Sequence, residues 1–302
     1  MASFRADIQA SLDFNREADK LLIDGPWDTK IAYHYCGAQA LLSIVQNGSV
    51  WASDLRCMND TRELEHGMAL IREAAKGHST DVEGTKIFEA ALAHKTFSDQ
   101  VIFAASFSED RDVLSQWRAY ADDGAGYAIG FDVQSLLKFE PEFGRIDDGF
   151  LLRVEYNLTR QRELARKLVD EAFAAIQQVK WKPSAGIPDM LSLAFAIQFG
   201  TFAGMCKSDA FAEEREIRLC FAQKPRRDGS AEPRPKSSFR VGKYGLTPYL
   251  TAKFSKSAIR EIVRGPKHDQ GWSERVLRRF LVQNEVDNAE TLPLPHSRAS
   301  YR

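Results

Sequence analysis

Residues 211–221 read FAEEREIRLCF, and the reading of this stretch decides the fold. Ile217, Leu219 and Phe221 are β-formers, so a strand is expected over 214–222. Side chains alternate along a strand. Glu214, Glu216 and Arg218 are therefore expected on one face, with Arg215, Ile217 and Leu219 on the other. Two repelling carboxylates on one face admit two readings. One is a solvated face with a Glu216–Arg218 surface pair, worth about 0–1 kcal/mol. The other is a site that needs both carboxylates.

Working outward, the β-rich runs 30–36, 49–53, 100–107, 127–131, 150–156 and 258–264 read as strands. Helical spacing covers 1–25, 38–46, 61–76, 84–96, 113–121, 158–179, 187–208 and 272–281, and Asn47-Gly48 stops the second of these. Residues 239–249 read as mixed strand and turn. Strands and helices do not alternate strictly, which favours α+β over a doubly wound parallel sheet. The expected organisation is a single domain over 1–285, with an N-terminal helical extension (1–25) and a helical insertion (158–208). A basic, proline-rich loop at 224–238 is expected to be solvated, and 286–302 to be a loose tail.

The chain has 302 residues, 44% hydrophobic and 27% charged, with net charge -1. Nothing in that balance demands duplex nucleic acid as a partner. The N-terminus lacks the apolar core of a leader, and no run is apolar enough to span a membrane, so a cytoplasmic protein is expected. Cys36, Cys57, Cys206 and Cys220 fit no zinc spacing and read as reduced, mostly buried thiols. No phosphate-binding loop, GxGxxG, HExxH or GxSxG motif is present, and the histidines form no metal-ligand pair. No metal site is expected. A Cys36–His34 nucleophile is disfavoured because no third group orients it.

Three further stretches carry candidate residues. Tyr33-His34-Tyr35 ends a strand and reads as core or as a clamp on a planar ligand. Asn59, Asp60 and Glu63 lie where a polar loop enters a helix, as caps or as a ligand-lining edge. Ser106 and Ser108 end an apolar strand, and Trp117 and Tyr120 follow one helical turn apart.

These blocks, in this order, resemble a widespread bacterial family catalogued only as a domain of unknown function. The resemblance rests on Tyr33 to Tyr35, Asn59-Asp60 with Glu63, Phe107-Ser108, Trp117 with Tyr120, and Gly126 to Phe131. Lys207 with Glu214 to Arg218, and Ile262 to Pro266, complete it. The architecture also resembles the ADP-ribosyltransferase-like fold, a mixed sheet core with helical insertions. That likeness implies three stations on successive strands: His34, Ser106 or Ser108, and Glu214-x-Glu216. It implies NAD as substrate, consumed by an ADP-ribosyltransferase or NAD glycohydrolase, and a toxin or antiviral-defence setting. The acceptor would be a protein or nucleic acid, and an operon-encoded partner or antitoxin fits the same setting.

In that scheme Glu216 binds a ribose hydroxyl and faces the oxocarbenium-like charge, as in glycoside cleavage. Glu214 orients or deprotonates the acceptor, and His34 holds a ribose. Tyr33, Tyr35 or Tyr120 stacks on nicotinamide, and Arg218 or Lys207 meets the pyrophosphate. The serines read Ser-Phe-Ser where that fold has Ser-Thr-Ser, and Asn59, Asp60 and Glu63 have no fixed role there beyond substrate or lid contact. The alternatives are a non-enzymatic binding or sensor module of a defence or regulatory operon, and a metal-dependent hydrolase or nuclease using Asp60, Glu63, Glu214 and Glu216. Geometry separates the three. A transferase needs His34 and Glu216 in one cleft, a metal enzyme needs Asp60, Glu63 and Glu216 converging, and neither arrangement favours the module.

Overall fold

The computed structural model describes residues 2–23, 27–57, 61–78, 81–93, 102–141, 149–178, 189–222, 237–242, 245–269 and 271–301. The fold is α+β, and the described residues form one ten-stranded sheet in which every strand pair is antiparallel. Its organising strand is β3 (Ile102–Ser108), FAAS flanked by Ile102 and Phe107 and buried along most of its length. β7 (Glu216–Ala222) pairs with β3 from end to end, Ile102 opposite Ala222 and Ser108 opposite Glu216. β1 (Ile31–Cys36) also pairs with β3, but only at Tyr33 opposite Ser108. β2 (Ser49–Asp54) takes the other end, with Ser53 opposite Ala104.

The sheet therefore forks at β3. One wing continues from β1 through β4 (Tyr127–Asp132) to β10 (Ile259–Arg264). The other runs from β2 to β9 (Gly245–Lys253), which carries β5 (Glu140–Pro141) and β8 (Ser238–Gly242). β6 (Phe150–Arg153) extends β7.

Each face of β3 and β7 has its own core. Phe103, Ala105, Phe107, Ile217, Leu219 and Phe221 point to one side, packed with the helices Ala38–Asn47 and Trp272–Gln283. Ile102, Ala104, Cys220 and Ala222 point to the other, beneath the helices Ala2–Leu22, Thr61–Ala75, Leu158–Gln178 and Asp189–Met205. The last of these reads apolar all round, as a helix enclosed by sheet and helices must. The expected stop at Asn47-Gly48 is a left-handed Gly48 with φ 58°, whose N–H closes the helix on the Ile44 carbonyl.

Three readings need correction. The N-terminal helix is no appendage: Phe14, Ala18 and Leu22 are buried in the helical core. The strand read over 150–156 ends at Arg153. The tail beyond 285 is tied down rather than loose. Leu292 and Leu294 are buried, and the Ile262 and Arg264 N–H groups donate to the Pro293 and Pro295 carbonyls (3.1 and 2.9 Å). Alternating apolar residues among prolines carry no helix or strand period, yet the segment covers the outer edge of β10.

Candidate functional site

β7 begins at Glu216, so the strand starts two residues later than its sequence suggests. Asp209–Glu214 form a 3-10 turn, and Arg215 is left-handed at φ 42°, ψ 54°. Alternation therefore stops short of Glu214, and the turn, not the pleat, delivers its carboxylate. The conformation of Arg215 is disfavoured for a side chain with a Cβ. It is held by bonds to β3's exit loop: Arg215 to Glu109 (3.1 Å) and Asp110 (3.2 Å), and Ser108 Oγ to the Glu214 carbonyl (2.7 Å).

Lys207 sits between the two carboxylates, its Nζ 2.5 Å from Glu214 Oε2 and 3.2 Å from Glu216 Oε2. Arg218 clamps Glu216 with two bonds, Nε to Oε1 (2.8 Å) and Nη2 to Oε2 (2.9 Å), and donates Nη1 to the Gly204 carbonyl (2.6 Å). Exposure is 3% for Arg218, 6% for Glu216, 7% for Lys207 and 8% for Glu214, which overturns the solvated-face reading. Two anions and two cations form a buried, charge-balanced quartet, so the repulsion between the carboxylates is offset in place. Burial pushes the Glu216 carboxyl up, but the Arg218 guanidinium and then the Lys207 ammonium outweigh it and hold the pKa at about 2. Ser106 Oγ adds to that effect from nearby, although it is buried without a hydrogen bond of ordinary length.

The quartet is braced from behind. The Glu216 N–H donates to Tyr156 Oη (2.9 Å). The Lys207 backbone donates to the Glu155 carbonyl (3.1 Å) and accepts from Gln161 Nε2 (2.9 Å). Tyr120 Oη lies 3.5 Å from Glu214 Oε1, and the Phe211 ring faces Lys207 Nζ at 5.0 Å. Both aromatic residues are partly exposed and form the solvent side of the cluster.

The first predicted station lies elsewhere. Tyr33 is opposite Ser108, and Ser108 opposite Glu216, so Tyr33, Tyr35, Ser106, Ser108, Glu216 and Arg218 share a face of the sheet. His34 projects from the other face, its ring 5.6 Å from Phe107. Its Nδ1 donates to the Ser106 carbonyl (2.9 Å), since a carbonyl only accepts, and burial lowers its pKa, keeping the ring neutral. His34 fills the fork between β1 and β3, and does not share a cleft with Glu216.

Tyr33 donates to Glu261 (2.6 Å), and burial drives its own pKa up. Tyr35 donates to the Asp110 carbonyl (2.9 Å), accepts from the Val113 N–H (3.1 Å), and meets Trp117 edge-on at 4.8 Å. Trp117 is fully buried and donates to Asp112 (2.8 Å). These three side chains are committed to packing and hydrogen bonds at the end of the sheet. Asn59 and Asp60 lie outside the described residues, as does the side chain of Glu63. The sequence reading missed Tyr156, Gln161 and Arg215, whose roles depend on long-range contacts that no local period announces.

A carboxylate held ionised is a poor general base but suits electrostatic stabilisation of a cation. Here both oxygens of Glu216 already accept from Arg218 and Lys207. Among the described residues no group of three or more His, Cys, Asp or Glu side chains is arranged to hold a metal ion. No described helix is long and apolar enough to cross a membrane. No curated protein and no solved structure matches the chain. A family model described as a protein of unknown function, DUF2971, matches residues 116–219, the stretch that carries Trp117, Tyr120, Lys207 and the Glu214–Arg218 segment of the cluster.

Proposed function

We propose that the protein is a non-enzymatic binding or sensor module whose transferase-like constellation is closed. The observation that carries this is the quartet itself: both carboxylates that NAD cleavage would use are neutralised internally by Lys207 and Arg218. His34, the station that would hold a ribose, belongs to the other face of the sheet. A buried, fully paired ion network fixes geometry and specificity more readily than it performs chemistry.

A second reading keeps the NAD-consuming activity, as ADP-ribosyltransferase or glycohydrolase. One observation favours it: Ser106 and Ser108 lie directly opposite Arg218 and Glu216, bringing the second and third stations together. Turnover then requires Lys207 to leave the carboxylates. The toxin or defence setting and an operon-encoded partner belong to the same resemblance and remain part of the proposal.

The test is nicotinamide release from NAD by the purified chain and by Glu216→Gln, with and without cell lysate as acceptor source. The binding module predicts no release from either protein under either condition. Release by the native chain that disappears in the variant would overturn it in favour of the enzyme.

A further inference from the structure

On the wing away from the quartet, β2 carries one exposed residue among buried neighbours. Trp51 is 45% exposed while Val50 and Ala52 are buried. It sits diagonally across from Tyr249 on β9, and the two rings stack at 4.4 Å with 30° between their planes. The register Ser53 to Tyr249, Trp51 to Thr251 and Arg240 to Thr247 puts Trp51, Ser53, Tyr249, Thr247 and Arg240 on one face.

Arg240 comes from β8 and reaches across β9 to Ser53 Oγ (3.2 Å). Ser53 is neutral, and among the described residues no carboxylate pairs with this guanidinium. Its Nε is buried without an acceptor. Arg56, three residues beyond Ser53, differs in being paired with Asp54 at 2.7 Å. The platform thus joins an exposed tryptophan, stacked on a half-buried tyrosine, to an arginine whose charge lacks a carboxylate counterpart among the described residues. A flat π-surface takes a base, and an uncompensated guanidinium takes a phosphate. An unstacked base is needed for the first contact, which excludes a paired duplex.

We propose that this face of β2, β9 and β8 is a stacking site for single-stranded nucleic acid, with a base on Trp51 and its phosphate on Arg240. The site is separate from the Glu216 quartet and holds whichever reading of that quartet is right.

Fluorescence anisotropy with labelled single-stranded oligonucleotides of about 10 nucleotides, DNA and RNA, tests it, with a duplex of the same length as control. The native chain binds the single strands, and binds the duplex at least about tenfold more weakly. Trp51→Ala weakens single-strand binding by about tenfold or more. Arg240→Gln weakens it too, and flattens the salt dependence between about 50 and about 200 mM by about 0.7 in log–log slope. Both side chains are partly exposed, and circular dichroism confirms that the variants fold. No single-strand binding by the native chain, equal binding by either variant, or duplex binding as tight as single-strand binding would each overturn the proposal. In the first case the platform is left as a protein-contact surface.

Discussion

Lys207→Met removes the ammonium from between Glu214 and Glu216 while keeping much of the side-chain volume. Glu216 retains the two bonds from Arg218. Glu214 loses its 2.5 Å partner. Both carboxylates stay buried, so the substitution removes the cation that lies between them. Removing one member of a buried pair costs about 3–5 kcal/mol, because the other charge remains desolvated. Urea unfolding followed by far-ultraviolet circular dichroism should show that loss at neutral pH, with the slope unchanged. A carboxylate that stays buried after losing its ammonium is relieved by taking up a proton on folding. In the variant the native state binds more protons than the unfolded one, so its deficit shrinks as pH falls from about 7 to about 5. Adding Glu214→Gln to Lys207→Met should recover most of the loss at neutral pH. A deficit below about 1 kcal/mol, as for a surface pair, would refute the account of the quartet as a buried, mutually dependent network.

Other outcomes follow from the same geometry. The folded-state pKa of Glu216, about 2, lies below its ordinary value of 4.5, so its contribution is present in full above that value and is lost as pH falls toward 2. Acid titration of stability should show a limb of about 3 kcal/mol that Glu216→Gln abolishes. A Cβ at Gly37 would lie 2.3 Å from the Asp122 carboxylate, which accepts the Ala38 N–H at the start of the Ala38–Asn47 helix (3.2 Å). Gly37→Ala should therefore cost about 1 kcal/mol, the worth of the displaced cap, and thermal denaturation should find that cost gone in an Asp122→Ala background. Deleting residues 293–302 exposes the β10 edge; light scattering should report self-association and calorimetry a lower Tm than the full chain.

Much of this architecture was legible in the sequence, and the failures have identifiable causes. The long helices, amphipathic Leu158–Gln178 and all-round apolar Asp189–Met205, fall within two or three residues of expectation. The α+β class also followed from the irregular order of strands and helices. What periodicity could not supply was the fork at β3, because it arises where two strands compete for one edge. Nor could it place the C-terminal segment, whose hydrogen bonds go to a strand about 30 residues earlier. At the site, Glu216 and Arg218 were placed correctly on one face, since true strand geometry holds from Glu216 onward. Glu214 was misassigned because a Glu-Arg-Glu run carries no mark of the left-handed Arg215 between its acids. His34 was misassigned as a partner of Glu216 because the relative phase of two strands depends on their register, and a one-residue change of phase exchanges the faces.

That phase also relates several of the sequence blocks singled out above to one another. With Tyr33 opposite Ser108, Tyr33 and Tyr35 come to the face of Glu216. Tyr35 then fixes the loop after β3 through Asp110 and Val113, and the same loop holds Glu214 through Ser108 and Arg215 through Glu109 and Asp110. Asp112 of this loop orients Trp117 and also binds the C-terminal segment, through Ser297 and the Arg298 N–H. Trp117 sets the Leu114–Tyr120 helix, and so the position of Tyr120 over Glu214. A run of short, separated motifs thus converges on one six-residue connection, residues 108–113, that positions a buried carboxylate through the backbone that carries it. Order in the motifs need not reflect a row of catalytic stations. It is equally what a sheet requires when a charged turn must be held against the mouth of its own central strand, and on that account the Tyr35 and Ser108 contacts belong to the positioning of Glu214 and Glu216 whether those carboxylates bind a ligand or act on one.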